Sequence, residues 1–293
     1  MAWQITVAGT VHVDDVTTPH GHRPREQGGS AVYFSLAASE FAPVHIAAIC
    51  GRDSEPTLRR LFAHRQIDVA DLRISSLTTY HWKAVHDFTK WVTSSESVLD
   101  SGCDAQWDGH LSAASAASPV LFLGSMAPAL QAEVLHQSAA TLIGADSMTE
   151  FIGSQRASVR SVVEAVDILF LNRTELVALL PGCAGDWLGA AQALIAGPGR
   201  LRAVVVKAGP LGAAVVTADA VTELPAAPVA TVVDPTGAGD ALAAGFLGAC
   251  ARSERDDAAF FPSALEEGLR CAALAISRFG CDGLITARGA PTA

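Results

Sequence analysis

The stretch Val232-Val233-Asp234-Pro235-Thr236-Gly237-Ala238-Gly239-Asp240-Ala241-Leu242-Ala243-Ala244-Gly245-Phe246 decides how this chain is read. A short apolar strand is expected to stop at Asp234-Pro235. A turn of small residues, Gly237-Ala238-Gly239, then opens a helix near Asp240. The first turn of a helix carries N–H groups without partners inside the helix, and the macrodipole adds roughly half a positive charge there. Glycines lack Cβ, so a phosphate can come close to that backbone and the turn can serve as an anion hole. Asp240 lies in the same turn, which sets a carboxylate beside a bound phosphate, where a base taking a proton from an attacking hydroxyl is needed. Taken as a short string, Gly-Ala-Gly-Asp is equally a tight turn with an acidic helix cap.

Outward from this stretch the chain alternates short apolar runs with helical segments. The runs are Ile5–Val11, Val44–Ile49, Val120–Leu123, Thr141–Ala145, Ile168–Leu171, Ala203–Val206 and Ala213–Val216. They are continuous and not alternating, as in strands buried on both faces of a mainly parallel sheet. Helical patterns between them include Ser30–Phe41, Leu130–Ala140, Arg156–Ala165, Arg173–Leu180 and Leu265–Ser277. That rhythm predicts an α/β fold, an open doubly wound sheet with ligands at the carboxyl ends of its strands. Two stretches break it: residues 11–27, rich in Thr, His and Pro, and residues 78–99, where Tyr80, Trp82, Val85, Phe88, Trp91 and Val92 stand among polar neighbours. Both are placed in a small sheet of exposed antiparallel strands over one end of a single domain spanning residues 1–293. Such a flap acts as a lid or pairs edge to edge in a homodimer. Trp82 and Trp91, nine apart, fall on opposite faces of an extended strand, so at most one faces the pocket.

Composition narrows the function. Of 293 residues, 50% are apolar and 17% charged, which excludes a disordered chain. The net charge of −10, with scattered basic residues, speaks against a nucleic-acid surface but not against a phosphate ligand. No apolar run reaches the ~18–20 residues that span a bilayer, and the N-terminal residues lack a signal-like pattern. Cys50, Cys103, Cys183, Cys250, Cys271 and Cys281 are dispersed, as buried thiols of a cytoplasmic protein are. There is no P-loop and no nucleophile elbow, and Leu242 stands where a dinucleotide fingerprint needs Gly or Ala. His20 and His22, with His12 nearby, lack Cys or carboxylate partners at ligand spacing and read as a solvated loop. His81 and His86 rank below the motif residues as substrate contacts.

Residues 232–246 resemble the C-terminal signature of the ribokinase-like (PfkB) sugar and nucleoside kinases, and the likeness runs over nearly the whole chain. Gly28-Gly29-Ser30 before a small-residue helix looks like that family's N-terminal Gly-Gly motif. Asp14, with Asp15 adjacent, looks like the acidic residue after the first strand. Ile49-Cys50-Gly51-Arg52-Asp53, Asn172-Arg173-Thr174-Glu175, Lys207-Ala208-Gly209-Pro210-Leu211-Gly212 and residues 272–280 follow in the family's order. The resemblance implies a three-layer ribokinase-like fold with a β-sheet lid, and ATP-dependent phosphorylation of a hydroxyl on a small sugar-like acceptor. It implies that Asp240 is the base and that Gly237, Ala238 and Gly239 form the anion hole. Asp14, Gly28 and Gly29 would hold the acceptor, while Lys207, Gly209 and Gly212 border the nucleotide. Asn172 and Glu175 would order water around a nucleotide-borne Mg²⁺, although alone they read as a solvent-exposed cap pair. Many relatives bind a monovalent cation such as K⁺ near the position of Asp234.

Two departures stand out. Tyr33 occupies the position where the family carries a sugar-binding Asn, so it either stacks on a ring or closes the pocket. Asp146-Ser147-Met148 replaces a frequent Asp-x-Asn, which removes one phosphate-side contact. Two alternatives remain open: a nucleoside acceptor, with Tyr33 and the flap aromatics on its base, and a non-catalytic module that binds nucleotide or sugar.

Overall fold

The computed structural model describes residues 3–63, 65–89, 92–97, 102–183 and 185–286. Its strands are β1 (Ile5–Ala8), β2 (His12–Thr18), β3 (Gly21–Gly28), β4 (Val44–Gly51), β5 (Ile67–Asp68), β6 (Leu72–Ser75), β7 (Tyr80–Asp87), β8 (Val92–Ser97), β9 (Val120–Leu123), β10 (Leu142–Asp146), β11 (Ile168–Asn172), β12 (Ala203–Lys207), β13 (Ala213–Thr217) and β14 (Val221–Leu224). Ten of them form one sheet in the order β14-β13-β12-β11-β10-β9-β1-β4-β5, with β6 also on β4. Pairing is parallel from β12 through to β5 and turns antiparallel only at the β12-β13-β14 edge. The mainly parallel, doubly wound sheet expected from the apolar runs is present.

Alternate residues of each central strand feed two separate cores. Ile5, Val7, Phe122, Ile168, Phe170 and Val205 meet helices Ser30–Ala38, Ala238–Ser253 and Phe261–Ile276 on one face. Leu121, Leu123, Ile143, Leu169, Val204 and Val206 meet helices Pro128–Gln137, Arg156–Glu164, Arg173–Leu179 and Trp187–Ile195 on the other. Both faces are dry, which explains why the runs read as continuous and not alternating. Phe34 stacks on Phe122 at 4.3 Å between ring centroids. Edge contacts then pass from Phe122 to Phe170 and from Phe170 to Phe246, at 6.1 and 5.6 Å. Aromatic pairs in these geometries add about 0.5–1.5 kcal/mol each beyond the burial of their surface.

The Ala238–Ser253 helix is buried from Ala241 to Ala251 on every side. Its small residues permit this. A Cβ on Gly245 would lie 2.5 Å from the Glu267 carbonyl oxygen, and one on Gly268 would lie 2.7 Å from that of Leu242. The two C-terminal helices therefore touch backbone to backbone.

The second sheet, β3-β2-β7-β8, is the expected lid. Its two hairpins are antiparallel, but β2 and β7 pair in parallel, with His12 opposite Tyr80 and Asp14 opposite Trp82, so the all-antiparallel expectation is corrected. The cause is topological: β2 follows β1 and β7 follows β6, and both parents run the same way through β4. β2 and β3 fill residues 12–18 and 21–28 as expected for the lid; His20 is exposed in the turn between them, and His22 is exposed on β3, a strand and not a loop. Trp91 lies outside the described residues. The strand expected just before Asp234 is also absent. The Val233 and Asp234 N–H groups donate to the Ile276 carbonyl, at 2.8 and 3.4 Å, so this segment is tied to a helix end and not to a ladder. Among the described residues no helix is long and apolar enough to cross a membrane.

Gly268→Ala should lower unfolding free energy by about 1–3 kcal/mol, because its methyl group has to displace backbone. Gly153→Ala, where nothing lies within 4 Å of the new Cβ, should be neutral or slightly stabilising. Urea denaturation of both variants measures the contrast, and equal effects would contradict the close helix contact.

Candidate active site

The carboxyl ends of the parallel strands converge on one region. Thr10 follows β1, Ser125 follows β9, and Asp146, Asn172 and Lys207 end β10, β11 and β12. Above these ends stands the N-terminus of the Ala238–Ser253 helix. Gly237 caps it in the left-handed region, at φ 73°, which a residue with Cβ adopts at a cost. A Cβ there would also enter the Tyr33 ring. Tyr33 is only 2% exposed, so it forms the packed floor under the turn.

Asp240 sits in the first turn of that helix. Burial raises its carboxyl pKa to about 7; the neighbouring Asp146 adds to the shift and Lys207 opposes it. Lys207 Nζ donates to Asp146 Oδ2 at 2.6 Å. Burial disfavours the Lys207 charge, but Asp146 and Glu175 outweigh it and raise its pKa. A Cβ on Gly239 would lie 3.1 Å from Lys207 Nζ, so the bare backbone of this turn faces the cation closely. Asn172 and Glu175 close a reciprocal capping box: Glu175 N–H donates to Asn172 Oδ1 and Asn172 N–H to Glu175 Oε2, each at 2.8 Å. They are a cap pair, but a part-buried one, with Glu175 raised by burial against the pull of Lys207.

Three cavities share the helix end. The first, of about 550 Å³, is lined by Thr10, His12, Asp14, Tyr80, Trp82 and Asp240 among others. Asp14 is 1% exposed, its Oδ1 has no hydrogen-bond partner, and burial pushes its pKa well up, with Asp234 contributing. Gly28 leaves the space that the Asp14 carboxylate fills, and Gly29, at φ 98°, lets the chain pass the Thr10 carbonyl into the Ser30–Ala38 helix. Asp15 faces away and is held by the Arg25 N–H at 2.8 Å and by His81 at 3.1 Å. The His12 ring packs tilted against that of Tyr80, with centroids 4.8 Å apart at 53°, and Asp104 lies 3.9 Å from its Nε2. The expectation of a solvated loop is thereby corrected for His12, which lies on β2 against the cavity.

The second cavity, of about 500 Å³, is polar and includes Asp146, Ser147, Glu150, Glu175, Lys207 and Asp240. The third, of about 390 Å³, is an apolar cleft between Gly209, Gly212, Val229, Leu242, Ala272 and Ile276. Gly239 and Lys207 border both of these. Asp234 stands to one side, 1% exposed, accepting the Thr236 and Gly280 N–H groups at 3.0 Å each.

Asp14, Gly29, Tyr33, Asp146, Glu175, Lys207, Gly209, Gly212 and the Gly237–Asp240 turn therefore line cavities that share one helix end, and Asn172 joins them through Glu175; the Gly51–Asp53 turn does not, its Asp53 Oδ1 accepting the Thr79 N–H and Oγ1–H at 3.0 Å each. The wall residues Thr10, His12, Ser125, Met148, Glu150 and Thr236 were not singled out there for this role. For His12 and Thr10 the available signal was alternation along the strand after Gly9. For Ser125 and Glu150 only the place after a strand end marks them.

The model described as pfkB family carbohydrate kinase matches residues 28–287. Among solved structures, aminoimidazole riboside kinase from Salmonella enterica, complexed with aminoimidazole riboside and an ATP analog, superposes with TM-score 0.73 at 21% identity, covering 96% of each chain. Burkholderia thailandensis nucleoside kinase in complex with inosine gives 0.77 at 19%, covering 97% of each chain. Arabidopsis thaliana ribokinase complexed with ribose and ATP gives 0.75 at 18%, covering 96% of this chain and 94% of its own. No curated protein matches by sequence.

Unfolded, Asp240 ionises near 3.8; folded, it keeps its proton to about 7. The folded state binds more protons across that window, so this group's contribution to stability falls as pH rises through it. Asp240→Asn removes that loss. Its melting temperature relative to wild type should climb from about pH 4 to about pH 8, and a flat difference by scanning calorimetry would refute the assignment.

Proposed function

This chain belongs to the pfkB family of carbohydrate kinases, and on that premise we propose that it transfers the γ-phosphoryl group of ATP to a hydroxyl of a small sugar or sugar-like acceptor. The observation that carries this reading is the Gly237–Asp240 turn, a common wall of all three cavities. The apolar cleft bordered by Gly209 and Gly212 suits a nucleobase. The polar cavity suits its phosphates, and the lid-covered cavity with Asp14 suits an acceptor. Residues 1–293 then act as one kinase domain.

In this mechanism the unpartnered Asp14 Oδ1 accepts from an acceptor hydroxyl, and the Gly28-Gly29 turn brings the acceptor close to the backbone. Asp240 takes the proton of the reacting hydroxyl as its oxygen bonds to the γ-phosphorus. The bond from that phosphorus to the bridging oxygen breaks and leaves ADP. A carboxyl held near 7 is half-ionised at neutral pH, the range in which a general base works best. Charge on the transferring group meets the Gly237-Ala238-Gly239 backbone at the helix N-terminus, and Lys207 supplies a cation on the nucleotide side. Tyr33 supports the turn from below and so holds the anion hole, in place of the Asn contact to the sugar.

The Glu175 and Asp146 carboxylates border the polar cavity, a donor set that fits Mg²⁺, an ion that keeps most of its waters and takes few protein ligands. When bound, Mg²⁺ neutralises phosphate charge. Asn172, through the capping box, holds Glu175 in place. The idea of K⁺ beside Asp234 rests on the family resemblance alone, since both carboxylate oxygens of Asp234 already accept backbone N–H groups. A homodimer through the lid would use β3 or β8, the edges of its sheet.

A second reading has its own support. His12 packed tilted against Tyr80, with Trp82 in the same lining, gives the acceptor cavity an aromatic wall that suits a sugar carrying a planar ring, as in a nucleoside.

ADP release from Mg-ATP over a panel of sugars, polyols and nucleosides, with Asp240→Asn as the blank, tests both readings. Turnover is expected with one acceptor class in wild type, and a loss in kcat of ~10³-fold or more in the variant. Near-normal kcat in Asp240→Asn would remove it as the base. ATP binding with no turnover on any acceptor would favour a non-catalytic module. Trp82→Ala should raise KM for a nucleoside by ~10-fold and leave KM for a plain sugar nearly unchanged.

A further inference from the structure

On β7, inward and outward positions alternate: Ala84 and His86 are buried while Val85 is 44% exposed. An apolar side chain would meet the burial requirement at position 86. A buried imidazole is tolerated only where its nitrogens are bonded, and here each nitrogen bonds to a different body. His86 Nδ1 lies 2.8 Å from Thr93 Oγ1, its ladder partner on β8 within the lid. Nε2 lies 3.1 Å from Thr236 Oγ1, in the turn that leads into Gly237. Thr236 borders the acceptor cavity, and its N–H donates to Asp234 Oδ1, itself 3.8 Å from the same Nε2.

Asp234 passes the contact on. Its other oxygen accepts the Gly280 N–H, and the segment around Gly280 is gripped by the lid twice more. The Arg23 guanidinium lies 5.4 Å over the Phe279 ring, and Cys281 Sγ donates to the Gln27 carbonyl at 3.2 Å. Three lid side contacts thus converge on one carboxylate and the residues that hold it, and of these His86 reaches the turn before the anion hole directly.

We propose that His86 is a positioning residue that latches the lid to Thr236, so that closure over the acceptor sets the Thr236–Gly239 turn in its working geometry; its kinetic consequence rests on the phosphotransfer reading above. His86 touches no reacting atom in this role. It couples acceptor enclosure to the groups that meet the phosphoryl group, so a phosphate acceptor site is fully formed only under a closed lid.

The test compares His86→Ala, His86→Gln and Thr236→Val, alone and combined. His86→Ala should lower kcat by ~10-fold with KM for ATP changed less than about twofold. Gln, which keeps one donor and one acceptor, should recover most of the loss. In the Thr236→Val background, His86→Ala should add less than about twofold, since the two act as one unit. Unchanged kcat, no recovery by Gln, or losses that multiply would overturn the latch. Amide hydrogen exchange keeps this separable from a failure of the kinase reading. His86→Ala should speed exchange of residues 236–240 by ~10-fold while β1 and β9 stay protected. Unchanged exchange at 236–240, or faster exchange throughout, would overturn it even if no acceptor is ever turned over.

Discussion

The contact between the Tyr33 ring and the left-handed backbone of Gly237 sets the geometry of the site. Tyr33 belongs to the Ser30–Ala38 helix, buried along its whole length, whose start is fixed by Gly29 against Thr10. Gly237 begins the Ala238–Ser253 helix, which is buried just as completely from Ala241 to Ala251. One helix start lies beside the cavity proposed for the acceptor and the other carries the turn proposed as the anion hole. Tyr33 locks the two together. Phosphoryl transfer leans on positioning more than on covalent chemistry, and a displacement of an ångström is expensive. A rigid aromatic spacer between two buried helices suits that requirement, and it leaves no room for a side chain at Gly237, whose Cβ would enter the ring.

The same region concentrates carboxyl groups. Asp14, Asp146, Asp234, Asp240 and Glu175 lie around it, with Lys207 as the cation among them. Burial raises the pKa of Asp14, Asp240 and Glu175, so the site is less negative than its formula suggests. Lys207 is meanwhile held by Asp146. A polyanionic nucleotide entering here meets more negative than positive charge on side chains, and what welcomes it is backbone: the N–H groups of a helix end, free of side-chain bulk at Gly239. That arrangement makes a divalent counter-ion chemically useful and leaves Asp240 able to exchange a proton near neutrality.

Much of this was legible in the chain because it is local. Continuous apolar runs report strands buried on both sides, and each central strand was found where such a run stands. The Asn172–Glu175 spacing reported a reciprocal cap, and Gly-Ala-Gly before a small-residue helix reported its exposed N-terminus. What escaped depends on partners far apart in sequence. The parallel pairing of β2 with β7 follows from where each strand leaves the large sheet, which no local pattern encodes. Residues 232–233 read as a strand because they are apolar, yet their N–H groups are taken by the end of another helix. The Lys207–Asp146 pair joins two strand ends 61 positions apart. His12 sat in a polar stretch that resembled a loop, and only its pairing on β2 turns it toward the cavity.

The backbone-to-backbone contact of Gly245 and Gly268 has a mechanical consequence. Two helices meshed at that distance cannot slide along each other without driving carbonyl oxygens into α-carbons, so their shafts stand as the fixed jaw of a vice, and only the Thr236–Gly239 turn at the end of one is left to be set from outside. The sheet β3-β2-β7-β8 meets that jaw through side-chain contacts, such as His86 to Thr236 and Arg23 over Phe279, which can part without unpacking either core. The first cavity is walled on one side by that sheet, through His12, Asp14, Tyr80 and Trp82, so its size can change there while the helices keep their places.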